Sequence, residues 1–232
     1  MTTRVDVQES SSLLRGTDAR RSAAFPIKPV LGELLGAALL SNIVAMGESP
    51  LHIGLALAAI IFSLGHVSGA HLNPAVSLAV FVRGRLKLMD AIYYAVAQIV
   101  GAFLGGLIAV ALHSDKIAAP MVASGVETMT AVSVEALYTM VLSVVVLNVA
   151  TSKAQSGNGF YGLAIGLALT VGASIAGPIS GGALNPALGI ALPVLKDEGL
   201  DSIWIYIVGP LVGSLLAAGA FYLTAKPDEF LL

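Results

Sequence analysis

One eight-residue pattern occurs twice in this chain: residues 68–75 read SGAHLNPA and residues 180–187 read SGGALNPA, 112 positions apart. The same spacing aligns Gly54-Leu55-Ala56-Leu57 with Gly166-Leu167-Ala168-Leu169. Gly101-Ala102-Phe103-Leu104-Gly105 finds a looser echo in Gly209-Pro210-Leu211-Val212-Gly213. Self-similarity at such a distance means two copies of one structural unit.

How the copies face each other follows from the apolar stretches. Residues 30–46, 51–67, 88–112, 131–150, 160–179 and 203–224 are apolar, and each reaches or approaches the ~20 residues a helix needs to cross a bilayer. Three spans fall in each half. An odd number per copy forces the second copy to enter upside down, which makes the chain an inverted repeat.

Two further apolar pieces, 74–82 and 186–195, are too short to cross. Each begins with the repeated motif. Asparagine is a favoured helix N-cap, and proline suits the first helical position because its missing N–H had no partner there. Asn73-Pro74-Ala75 and Asn185-Pro186-Ala187 are therefore expected to open two half-helices within the membrane. Irregular backbone at that depth survives only when buried in protein or lining a cavity. Half-helices meeting N-terminus to N-terminus would oppose two positive dipole ends. The Asn73 and Asn185 amides could then donate to a passing oxygen while the dipoles repel cations. One such motif alone would read as a mere helix start; two in register within an inverted repeat point to a pore.

Composition excludes the other classes. The chain is 56% hydrophobic and 11% charged over 232 residues, where a soluble domain carries about 25% charged residues. There is no cysteine, hence no disulfide or thiolate chemistry, and the net charge of −2 leaves no footprint for nucleic acid. The spans hold no zinc-protease motif, no Gly-x-Ser-x-Gly and no Ser/His pair, so an enzyme, a cofactor and a metal site are not expected. Lys and Arg set the orientation. Ten of them fall on the side of the termini: Arg4, Arg15, Arg20, Arg21, Lys28, Arg83, Arg85, Lys87, Lys153 and Lys226. Lys116 and Lys196 fall on the other. Both termini are expected in the cytosol, with residues 1–29 and 226–232 as tails and 30–225 as the channel domain (repeats about 30–112 and 131–225). Ser152 and Ser156 read equally as ordinary solvated loop serines or as sites for phosphorylation.

The paired Asn-Pro-Ala boxes, with Ser68-Gly69-Ala70-His71-Leu72 leading the first, resemble those of the aquaporin (major intrinsic protein) family across 30 to about 225. That resemblance implies an all-α membrane protein: a right-handed bundle of six transmembrane helices plus two re-entrant half-helices, assembled as a homotetramer with one pore per subunit. Its partners would be the lipid bilayer, water and small uncharged solutes. Glu33 and Glu135, the carboxylates deep in the spans, match family glutamates that bind the backbone of the re-entrant loops. A proton relay would need an aligned chain of acids that the sequence lacks. Gln98 and His66 match packing or loop-support positions, and His71 either lines the pore or is a satisfied loop histidine. The glycine pairs 32/36, 101/105, 162/166 and 209/213 suit close helix approach.

At the selectivity filter the chain departs from the family. The arginine that usually follows the second box is Leu188, and the aspartate that follows it in glycerol-conducting members is Gly189. The remaining filter positions fall on Ile53, Ala173 and Gly182, with Leu57 and Ser174 as the neighbours a helix bulge would substitute. A wide, apolar filter is expected, suited to urea, ammonia, hydrogen peroxide or small polyols. A secondary active transporter is the main rival, since inverted repeats with broken helices occur there too.

Overall fold

A computed structural model describes residues 25–113 and 117–230. Among them are six long helices: α1 (Ile27–Ala45), α2 (Pro50–Ser68), α4 (Leu88–His113), α5 (Thr128–Thr151), α6 (Tyr161–Ser180) and α8 (Ile203–Thr224). All six are long and apolar enough to cross a membrane. Two short helices, α3 (Pro74–Val82) and α7 (Pro186–Lys196), follow the repeated motifs. The fold is all-helical.

Local chemistry sets these ends. Asn73 accepts a hydrogen bond from the Ala75 N–H at 2.9 Å, and Asn185 from the Ala187 N–H at 3.0 Å. Each is the N-cap of its half-helix, with proline behind it. The preceding long helices stop on matched left-handed glycines, Gly69 (φ 92°) and Gly181 (φ 91°), a conformation open to a residue without a β-carbon.

The bundle shows its repeat in the packing. Helix α1 lies on α4 as α5 lies on α8, and α2 crosses α6 between the halves. Close approach decides the residues there. A β-carbon on Gly54 would strike the Gly166 carbonyl, and one on Gly166 the Gly54 carbonyl. Gly101 and Gly105 sit on the Leu34 and Ala38 carbonyls, and Gly213 on that of Ala136. Outward faces stay apolar: Leu31, Leu35 and Leu39 recur every four residues on α1 and are exposed, while Gly32, Glu33, Gly36 and Ala37 turn inward. An apolar exterior around a partly polar interior suits lipid as solvent. The protein is a multi-pass integral membrane protein.

Both ends depart from the expected bounds. Helix α1 begins at Ile27, so residues 27–29 are helical and not part of a tail. At the other end, Pro227–Phe230 form a 3-10 turn, and Glu229 packs back onto the bundle, 5% exposed. The charges at Arg4, Arg15, Arg20, Arg21 and Lys116 lie outside the described residues.

Candidate functional site

The two motifs meet at the centre of the bundle and are tied to each other. Asn73 Nδ2 donates to the Leu184 carbonyl at 2.8 Å, and Asn185 Nδ2 donates to the Leu72 carbonyl at 2.9 Å. Each amide thus spends its oxygen on its own helix and one N–H on the other half. The second N–H of each remains, and both asparagines line a cavity of about 810 Å³.

The loops that aim those carbonyls are strained and then held. Ala70, Leu72 and Leu184 adopt left-handed backbone (φ 48°, 54° and 49°), which costs a residue with a β-carbon on the order of 1–3 kcal/mol. Two buried carboxylates hold them there. Glu33 accepts from the Ser68 hydroxyl (2.7 Å), the His71 N–H (2.9 Å), the Leu72 N–H (2.6 Å) and Gln98 Nε2 (2.8 Å). Glu135 accepts from the Ser180 hydroxyl (2.7 Å) and the Ala183 and Leu184 N–H groups (3.0 and 2.7 Å). Converging N–H groups make a concavity suited to an anion. In this bundle a glutamate side chain of the protein itself fills each concavity as acceptor.

Two tyrosines complete the bracing, and the sequence reading passed over them. Tyr94 donates to the Ser68 carbonyl and Tyr206 to the Ser180 carbonyl, both at 2.7 Å. The signal was available, because Tyr94 and Tyr206 are themselves 112 residues apart. Gln98 is fully buried and reaches both Glu33 and Ser77. His71 lines the cavity, with its Nδ1 3.1 Å from the Ser77 hydroxyl and its ring edge-on to Tyr94. His66 also lines the cavity.

The four expected filter residues are only partly brought together. Leu188 is buried and lines the cavity beside Asn185 and Ala183. Ala173 and Gly182 adjoin, since a β-carbon on Gly182 would stand 3.4 Å from the Ala173 carbonyl oxygen. Ile53 is half-buried against the core, one helical turn from Leu57, which lines the cavity. Ser174 is exposed and returns its hydroxyl to the Thr170 carbonyl at 2.7 Å.

Comparison with known proteins agrees with this architecture. The Major intrinsic protein family matches residues 37–222. The chain belongs to that family. Aquaporin NIP1-1 of Zea mays is 37% identical over 179 residues, covering 75% of this chain and 62% of the relative. The chain therefore spans less than two thirds of that maize protein's length. Aquaporin A of Dictyostelium discoideum is 35% identical, covering 82% of this chain and 67% of its own. Glycerol uptake facilitator protein-like 6 of Lactiplantibacillus plantarum is 34% identical over 213 residues, 83% of this chain and 95% of the relative. Among solved structures, the aquaglyceroporin from Plasmodium falciparum superposes with a TM-score of 0.77 at 24% identity, covering 90% of this chain and all of that one. That likeness is one of fold.

Proposed function

We propose that this protein is a passive channel for water and small neutral solutes such as glycerol, urea, ammonia or hydrogen peroxide. The observation that carries the reading is the crossed asparagine pair: two amides, each with one N–H left over, on the wall of one cavity. A solute oxygen passing there exchanges its hydration for those donors. Acceptors come from the loop carbonyls between the engaged ones, at 69–71 and 181–183, since Tyr94, Asn185, Tyr206 and Asn73 occupy those of Ser68, Leu72, Ser180 and Leu184. Each half-helix N-terminus adds roughly +0.5 elementary charge toward the same point, which opposes cations and protons.

Selectivity is read from what is missing. Leu188 offers no guanidinium donors, and Ala173 and Gly182 offer almost no bulk. A filter of Ile53, Ala173, Gly182 and Leu188 is wide and apolar, so it discriminates weakly by size and gives no charged replacement for lost hydration. The names of the relatives, aquaporins and a glycerol uptake facilitator, fit this range. The transporter alternative is less well supported, because Glu33 and Glu135 are engaged by loop donors and neither lines the cavity. The same reading carries both termini in the cytosol, a channel domain that runs from Ile27 through the C-terminal turn at 227–230, and a homotetramer with one pore per subunit.

Stopped-flow light scattering on proteoliposomes tests it. Wild type should pass water, urea and glycerol, and Leu188→Arg should keep water but lose about tenfold in solute flux, the size of a discrimination worth ~1.4 kcal/mol. Wild-type flux no greater than that of empty liposomes would refute the channel reading.

A further inference from the structure

Much of the cavity wall is apolar, with Leu57, Ile61, Val80, Leu142, Val146 and Ile165 along it. Several hydroxyls on that wall are engaged within the protein. Ser68 donates to Glu33, Tyr94 to the Ser68 carbonyl and Thr151 to the Leu147 carbonyl. Tyr161 differs from them. It lines the same cavity, and its hydroxyl bonds to none of the described residues.

Tyr161 opens α6, and two contacts with α2 place its hydroxyl. The ring meets Phe62 edge-on, with centroids 5.3 Å apart, a favourable arrangement of two aromatic rings. It then lies against Gly65: a β-carbon there would stand 3.1 Å from the hydroxyl oxygen and 3.5 Å from Cε2. A larger residue at 65 would crowd the hydroxyl, and Gly65 itself lines the cavity. The next residue, His66, lines it too, and its imidazole likewise bonds to no described residue.

Ligand cavities are mostly apolar, with a few placed polar groups that fix orientation. A hydroxyl suits a particular ligand chemistry because it both donates and accepts. The spare N–H groups of Asn73 and Asn185 only donate, and the loop carbonyls only accept. We propose that Tyr161 is a solute contact of this cavity: a subsite for small polyols, bound by the phenol hydroxyl beside Gly65, with the His66 imidazole as the adjoining polar group. The inference rests on the channel reading above and adds a residue outside the four filter positions. A polyol hydroxyl facing an apolar wall lacks the partners it had in water, and Tyr161 supplies one. Water molecules moving in file carry partners with them and depend on that group less. Tyr161 therefore sets the polyol-to-water ratio rather than the total flux.

Tyr161→Phe in proteoliposomes tests it, because the variant keeps the ring and its Phe62 contact and removes the hydroxyl alone. Glycerol permeability should fall by about three- to tenfold, the size of one neutral hydrogen bond. Water permeability should stay within about twofold of wild type, so the glycerol-to-water ratio falls. A purely structural role would lower both together, and that result overturns the proposal, as does an unchanged ratio. A direct readout is nuclear magnetic resonance of the full chain in nanodiscs, with tyrosine isotope-labelled at Cζ. The chain has six tyrosines, and the Tyr161 signal is the one lost in Tyr161→Phe. That signal should shift saturably as glycerol is added, and one that stays fixed overturns the proposal. Wild-type flux no better than that of empty liposomes would instead refute the channel reading. A conducting wild type whose ratio survives in Tyr161→Phe refutes the subsite alone.

Discussion

Tyr206 packs directly on the backbone of Gly189: a β-carbon at 189 would overlap the Tyr206 Cβ and come within 2.9 Å of its Cγ. The same tyrosine holds the Ser180 carbonyl. Gly189, which stands where the resemblance leads one to expect the aspartate of glycerol-conducting members, is thus the floor on which a loop brace stands. In the first half the matching position is Ser77, which bonds Gln98. Gly189→Asp should accordingly not create a better glycerol channel. It should push Tyr206 aside and cost about 2–4 kcal/mol, the range of overpacking with a buried polar group added. Thermal unfolding in detergent measures this, and an unchanged midpoint would show that the helix can shift to make room.

The two buried glutamates should be equivalent in kind. In Glu33→Gln or Glu135→Gln the new NH2 can face the serine hydroxyl, which can turn to accept. The backbone N–H that shared that oxygen, at His71 or Ala183, then loses its acceptor. Each change should lower stability by about 1–3 kcal/mol, the cost of one buried unsatisfied donor. Thermal unfolding of the two single variants checks it, and a loss confined to one half would break the equivalence.

Asn73→Asp tests the electrostatic barrier. The carboxylate can still cap α3 but can no longer donate to the Leu184 carbonyl. It also places a negative charge where two positive dipole ends meet. Proton entry into dye-loaded vesicles should rise several-fold over wild type, by an amount on the order of 1 kcal/mol of lowered barrier. No change in proton entry would mean that exclusion lies elsewhere along the path.

Acid should act at Glu229 only far below neutral pH. The Ser152 hydroxyl first, then the Lys153 N–H, hold its carboxyl down to about 2 against some opposing desolvation, with the Ala154 N–H and Arg83 also favouring the charged form. A depressed carboxyl stabilises the fold above its unfolded value, about 4.3, and that contribution is lost as pH falls through the folded value. Arg83, with Arg85 and Tyr222 near it, is the facing charge and does not titrate in this range. The difference in melting temperature between wild type and Glu229→Gln should therefore be constant from pH 5 to 8 and shrink only below about pH 4. A difference that titrates near neutrality would contradict this placement of the carboxylate.

The sequence by itself determined the topology. Apolar length requires spans because unpaired backbone groups are not tolerated in hydrocarbon, and the 112-residue repeat over an odd number of spans requires inversion. Asn-Pro at both half-helix starts is local capping chemistry, legible for the same reason. The tertiary structure decided what depends on contacts between distant segments. It showed that each asparagine spends an N–H on the opposite loop, 111 or 113 residues away. It also made Gly189 a packing position, and it turned residues 227–230 from an expected tail into an anchor for Ser152 and Arg83, 146 residues from Glu229 in the latter case. Periodicity and capping act over one helical turn, whereas a hydrogen bond closed across more than a hundred residues leaves no local pattern to read.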